Sequence, residues 1–201
     1  MQLLHVDSSI HGGNSASRQL SAEVVEAERR RVPGLTVVYR DVAAEPLGHI
    51  SGEHLGAARG VGVELPPELE RDLAAGQAVL AEFLGSDIVV IGAPMYNFTI
   101  PSQLKSWIDR IAVAGQTFKY GPEGVQGLAG GKRVILVSTR GGHYGAETPM
   151  GPYDHQETYL QSLFGFLGIT EITVVRAEGL NMGDHRAAAM EAAHSAIAAL
   201  V

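Results

Sequence analysis

The strongest constraint in this chain is an alternation of two patterns. Short runs of strand-forming residues are separated by longer stretches with helical periodicity. Leu3 to Val6 is an apolar run closed by Asp7-Ser8-Ser9, which reads as a strand ending in a loop. Leu35 to Arg40 (LTVVYR) is a second strand, after Pro33-Gly34 ends the preceding helix. Asp87 to Ile91 (DIVVI) and Lys132 to Ser138 (KRVILVS) are continuous β-branched runs, as strands buried on both faces require. Ile172 to Arg176 (ITVVR) is the fifth. Leu20, Val24 and Ala27 recur at helical spacing from Ser17 to about Arg31, and further helical patterns cover 67–84, 101–114, 155–167 and 184–200. Five strands alternating with five helices predict the α/β class, as a doubly wound five-stranded parallel sheet with helices on both faces. Right-handed crossovers put the C-terminal ends of all strands on one edge, where such sheets bind ligands.

Three insertions, at about 42–66, 115–131 and 141–154, are Gly/Pro-rich and too long for ordinary connections. Loops of that length are more often lids or interface arms than linkers. The ligand edge beside the switch point makes the loops after the first, third and fourth strands the informative ones.

Composition narrows the ligand classes. The 201 residues carry 15 Lys+Arg against 22 Asp+Glu, a formal net charge of −7, with no basic block to hold nucleic acid. With no Cys, disulfides, thiolate zinc sites and cysteine nucleophiles are excluded together. The N-terminus MQLLHVDSSI has no basic leader region, and no apolar run approaches the roughly 20 residues needed to span a bilayer. The expectation is a soluble cytoplasmic protein with neither nucleic acid nor membrane as partner.

The first loop, Ser8-Ser9-Ile10-His11-Gly12-Gly13-Asn14-Ser15-Ala16-Ser17, leaves a strand and enters a helix. Gly12 and Gly13 permit a sharp turn that presents amides inward. Ser15 and Ser17 place hydroxyls at a helix N-terminus, where unpaired amides and the dipole favour an anion. Two readings fit: a phosphate cradle, or simply a capped helix. No Walker A lysine, GxGxxG fingerprint or GxSxG elbow accompanies it; Gly60-Val61-Gly62 follows no strand. The low-molecular-weight phosphatase chemistry available to this kind of fold needs a Cys that the chain lacks. The histidines show no HExxH spacing, so no metal site is expected.

The second loop, Ala93-Pro94-Met95-Tyr96-Asn97-Phe98, follows DIVVI directly; there a flat ring has apolar surface to rest on and amides to meet its polar edge. The third, Thr139-Arg140-Gly141-Gly142-His143-Tyr144-Gly145, gains weight from converging with the other two at one sheet edge.

Taken together, SSI…GGNSAS, APMYNF with the following IP, QLK and WID, and TRGG resemble the FMN-dependent NADH azoreductases, also described as NADH:quinone oxidoreductases. The resemblance runs nearly end to end. It includes Phe118-Lys119-Tyr120 with Gly124, Phe166-Leu167-Gly168 and Ala177-Glu178-Gly179. It implies a flavodoxin-like fold, one FMN-binding domain over residues 1–201, and a homodimer with its site at the interface and one FMN per subunit. Ser9, Ser15, Ala16 and Ser17 would hold the phosphate. Met95, Tyr96, Asn97 and Phe98 would line one side of the isoalloxazine, and Thr139, Arg140, Gly141 and Gly142 the other. Ala16 offers only its backbone amide where relatives carry a hydrogen-bonding side chain, and Thr139 keeps the hydroxyl of the Ser in some members.

The implied reaction moves two electrons from NADH or NADPH through FMN, in ping-pong order, to quinones and aromatic azo compounds. The flavin carries the chemistry and no side chain need act as a catalyst. Tyr120 is a candidate substrate contact, Tyr144 and Arg59 weaker ones, and His11 and His143 border the expected site. A flavodoxin-type electron carrier, which shares the fold and FMN but oxidises no NAD(P)H, is the alternative.

Overall fold

The computed structural model describes residues 1–58 and 65–200. In chain order the elements are β1 (Gln2–Asp7), α1 (Ala16–Arg31), β2 (Thr36–Asp41), α2 (Gly52–Ala58), α3 (Pro67–Gly85), β3 (Ile88–Pro94) and α4 (Ser102–Ile111). They continue with β4 (Phe118–Gly121), β5 (Gly124–Gly127), β6 (Arg133–Thr139), α5 (Glu157–Phe166), β7 (Glu171–Ala177) and α6 (His185–Ala198). Five strands form one sheet in the order β2-β1-β3-β6-β7, and all its pairings are parallel. This is the flavodoxin-like order, whose direction of winding reverses between β1 and β3.

The central strands alternate their side chains between two cores, as a period of two dictates. Leu4, Val6, Val89, Ile91, Val134 and Leu136 face a core built with Phe83, Trp107 and Phe164 from α3, α4 and α5. Leu3, Ile88, Val90, Ile135 and Val137 face the opposite core, closed by Leu20 and Val24 of α1 and Ala193 and Ile197 of α6. Because both faces are covered, β3 is buried at every position. The first helix starts where Ser15 accepts a hydrogen bond from the Arg18 amide, and ends with Arg29, Arg30 and Arg31, whose charge complements the helix dipole.

Two of the insertions contain secondary structure that periodicity does not reveal. Residues 115–131 hold the antiparallel hairpin β4–β5, whose four-residue strands FKYG and GVQG are too short and too Gly-rich to register as strands. Gly127 approaches the α5–β7 connection so closely that a Cβ there would lie 2.2 Å from the Gly168 nitrogen. Residues 42–66 hold the short α2, fastened to the body where Asp72 of α3 accepts from His54 (2.7 Å), the Gly48 amide (2.9 Å) and Arg110. Arg59 lies outside the described residues. No described helix is long and apolar enough to cross a membrane.

Candidate functional site

The loops after β1, β3 and β6 meet at the C-terminal edge of the sheet and enclose a cavity of about 300 Å³. Of the residues singled out in the sequence, Ser9, His11, Ser15, Ala16, Met95, Tyr96, Thr139, Arg140 and Gly141 line it. A larger cavity of about 590 Å³ shares Tyr96 with it and is bordered by Asn97, His49, Lys105 and Tyr159.

At the first loop, the Ser9 hydroxyl contacts the Tyr96 hydroxyl at 3.2 Å and accepts from the His11 amide at 3.3 Å. The Ser15 and Ser17 hydroxyls are 2.9 Å apart, at the start of α1. Among the described residues, the amides of Gly12, Gly13, Ala16 and Ser17 find no acceptor in the protein. Free donors at a helix start suit an anion; of these residues Ala16 lines the cavity, whereas Gly12 and Gly13 border a neighbouring pocket with Arg18 and Asp41. Behind it, Arg18 donates to the Ser9 carbonyl (2.8 Å) and to both Asp41 oxygens (2.6 and 2.8 Å), tying the loop to the end of β2. The hydrogen bond from Arg18 holds the Asp41 carboxyl below the ordinary carboxylate range, against its partial burial.

The second loop is a tight turn. Tyr96 and Thr99 exchange backbone hydrogen bonds of 2.8 and 3.1 Å, so Asn97 and Phe98 form the two-residue corner. Both have positive φ, +48° and +73°. For Phe this conformation is strained, by roughly 1–2 kcal/mol, and strain of this kind gathers at functional sites. The amides of Asn97 and Phe98 likewise find no acceptor among the described residues. The Phe98 ring packs near Tyr144 and Tyr153, with centroids 6.3 and 5.5 Å away, so the insertion at 141–154 wraps this corner. Asn97→Val, a β-branched residue forced to positive φ, is expected to cost about 1–2 kcal/mol in urea unfolding, whereas Asn97→Gly stays within a few tenths.

The third loop is held from both sides. Gly179, Leu180 and Asn181, after β7, donate their amides to the carbonyls of Gly142, Arg140 and Gly141 at 3.0–3.1 Å. A Cβ on Gly141 would sit 2.6 Å from the Asn181 side-chain nitrogen. Arg140 borders the cavity, and its side chain has a second role. Its guanidinium is only 1% exposed and is held by Glu157 (2.6 Å), Asp154 (2.8 Å) and Glu178 (3.0 Å). It therefore anchors the loop rather than presenting a charge to the cavity. Gln156 extends this hub by donating to the Ala93 carbonyl at 2.6 Å, linking it to the end of β3.

Some expected residues lie elsewhere. Tyr120 is 73% exposed on β4, and no hairpin residue lines either cavity. The hairpin packs where α5 leads into β7, the opposite edge of the sheet, so within one chain Tyr120 does not reach the cavity. His143 packs against Gly179 and His185, and Ser17, Phe98 and Gly142 border neither cavity, while Asn97 borders only the larger one. The structure adds Asn14, Pro94, Leu180, Asn181 and Arg186 to the cavity wall. Pro94 and Asn14 lie inside motifs already conspicuous in the sequence. Leu180, Asn181 and Arg186 follow the last strand, and nothing short of the topology brings them here.

Comparison with known proteins agrees with this architecture. The family described as having a flavodoxin-like fold matches residues 1–201. The FMN-dependent NADH:quinone oxidoreductase 2 of Bradyrhizobium diazoefficiens is 57% identical over 201 residues, covering 100% of this chain and 98% of that protein. Among solved structures, an azoreductase from Bacillus anthracis is 31% identical with a TM-score of 0.89, covering 100% of this chain and 98% of its own. An FMN-dependent NADH-azoreductase from the same species, solved in complex with FMN, is 26% identical with a TM-score of 0.86, covering 100% and 99%. By fold, by loop chemistry and by end-to-end similarity, this chain belongs to the flavodoxin-like family that includes the FMN-dependent NADH:quinone oxidoreductases.

Proposed function

We propose that the protein is an FMN-dependent oxidoreductase that takes two electrons from NADH or NADPH and delivers them to quinones and aromatic azo compounds. The observation that carries this reading is the convergence of the loops after β1, β3 and β6 on one cavity at the winding reversal, lined by Ser9, Ser15, Ala16, Met95, Tyr96 and Thr139. The residues present fit FMN. The hydroxyls of Ser9, Ser15 and Ser17 and the amide of Ala16 suit a phosphate. Met95, Tyr96 and Phe98 offer apolar surface, and the amides of Asn97 and Phe98 offer donors to a ring edge. Thr139 and Gly141 close the far side, with Gly142 just beyond and Arg140 holding that loop in place. The names of the similar proteins point the same way.

Bound FMN supplies the hydride chemistry, with nucleotide and acceptor using the site in turn, in ping-pong order. The chain contributes orientation and fixed donors, which stabilise negative charge where a reduced ring would carry it. The whole chain acts as one FMN-binding unit, operating in the cytoplasm.

The working form is a homodimer. Ile10, Phe98, Tyr153 and Tyr120 are apolar or aromatic and 61, 42, 50 and 73% exposed in the single chain. Phe98 and Tyr153 sit together, with ring centroids 5.5 Å apart, and a contiguous exposed apolar patch supports an interface. Tyr120, unable to reach its own cavity, meets substrate only from a partner copy.

Steady-state kinetics of the FMN-loaded protein test the reading, with both nucleotides against a quinone and an azo dye. Parallel double-reciprocal lines and bleaching of the yellow flavin by anaerobic NADH are the expected result. A flavin that stays oxidised under NADH would favour the electron-carrier alternative. A colourless protein that gains no FMN on incubation would sink the cofactor reading itself.

A further inference from the structure

Arg186 carries a charge that the fold does not use. It sits in the first turn of α6, a turn with no acidic residue, where a cation opposes the helix dipole. Its guanidinium makes a single long hydrogen bond, 3.4 Å from Nη1 to the Leu180 carbonyl. Other arginines of the chain, Arg18, Arg110, Arg133, Arg140 and Arg176, each hold a carboxylate. Arg186 has no such partner among the described residues, yet it lines the same 300 Å³ cavity as Ser15 and Ala16. The packing of α6 beside α1 brings it there.

We infer that Arg186 is the cation that pairs with the phosphate of bound FMN, a cofactor-binding residue that adds charge recognition to the neutral donors of the first loop. This rests on the FMN reading above. A phosphomonoester carries close to two negative charges at neutral pH, and the chain around it has a net charge of −7. Hydroxyls, amides and the dipole of α1, worth about half a charge, satisfy the phosphate oxygens but offset that repulsion only in part. A guanidinium does both, with a planar fork suited to phosphate. The pairing also explains a cation at the wrong end of a helix: it is unfavourable in the empty protein and favourable once the anion arrives.

Riboflavin, which has the ring and lacks the phosphate, separates this role from any other. Cofactor-free wild type, Arg186→Ala and Arg186→Lys are titrated with FMN and with riboflavin, following flavin fluorescence. In Arg186→Ala the FMN Kd is expected to rise about 10- to 100-fold, the loss of one charge-assisted hydrogen-bonded contact. The riboflavin Kd stays unchanged, and Arg186→Lys falls between for FMN. The weakening of FMN binding by added salt is shallower in Arg186→Ala than in wild type. The cofactor-free melting temperature of Arg186→Ala does not fall, because an unfavourable charge–dipole contact is removed. An unchanged FMN Kd, or equal weakening toward both flavins, overturns the inference. Wild type that binds neither flavin overturns the cofactor reading and this inference with it.

Discussion

Replacing Arg140 with Met is expected to cost about 3–5 kcal/mol of folding free energy, read from the urea midpoint of the cofactor-free protein at neutral pH. The guanidinium is the shared partner of Asp154, Glu157 and Glu178. Removing it leaves carboxylates crowded together without their buried counter-charge, and Arg176 can answer only for Glu157. The pH dependence has a definite sign. Burial pushes the Glu157 carboxyl up, but the hydrogen bond from Arg176 and the charges of Arg140 and Arg176 outweigh it and hold the group below its ordinary range. A lowered acid contributes stability above the ordinary carboxylate range, and that stability is lost as pH falls through the lowered value. In Arg140→Met the Glu157 carboxylate loses part of this support and binds a proton more readily. The difference between wild type and variant therefore narrows as pH falls from 7 toward 4. A difference that stays constant across that range would refute the ionic account of the hub.

Gly127→Ala is expected to be nearly as damaging, for a steric reason. The new Cβ would meet the Gly168 nitrogen at 2.2 Å, the Leu167 carbonyl carbon at 2.3 Å and the Gly168 Cα at 2.4 Å. All three are backbone atoms, so no side chain can swing away. Gly168 itself has φ +91° and little freedom to retreat. The hairpin must lift, pulling Phe118 from its contact with Phe166 at 4.8 Å between centroids. We expect a loss of about 2–3 kcal/mol, at the upper end of ordinary overpacking. Faster amide exchange over residues 124–129 should accompany it. Gly121→Ala is the control: on the same hairpin, its Cβ would come no closer than 3.9 Å to Gly124, and it should be nearly neutral. If Tyr120 serves a partner's site as proposed, Gly127→Ala also lowers kcat/KM toward quinone while FMN affinity holds. Equal behaviour of the two Ala variants would show that the hairpin tolerates displacement.

How much of this was legible beforehand depends on what kind of signal each part leaves. The sheet was legible because burial on both faces demands unbroken runs such as DIVVI and RVILVS. The first and second loops were legible as segments at the ligand edge because each follows a strand whose C-terminal end the crossovers bring there. The hairpin was not. Its strands are largely exposed, so no apolar alternation marks them, and its position depends on a backbone contact with Gly168, forty-one residues after Gly127. That Arg140 borders the cavity followed from its loop; that its side chain anchors the loop did not. Its ion pairs reach Asp154, Glu157 and Glu178, which no local pattern connects. Arg186 looked like any exposed helix charge. Only the topology, which sets α6 beside α1, places it at the cavity.

The bracing of the third loop also has a consequence in time. The amides that fix Arg140, Gly141 and Gly142 belong to Gly179, Leu180 and Asn181, so one wall of the cavity depends on the last strand. A chain leaves the ribosome N-terminus first, at roughly 5–20 residues per second. β1, β3 and their loops are thus made well before the wall they face can set. A nascent chain still short of residue 181 has the Ser-rich cradle but not the braced third loop. If that cavity takes FMN as proposed, cofactor capture waits for the last strand, and a retained flavin marks a chain whose synthesis has run through it.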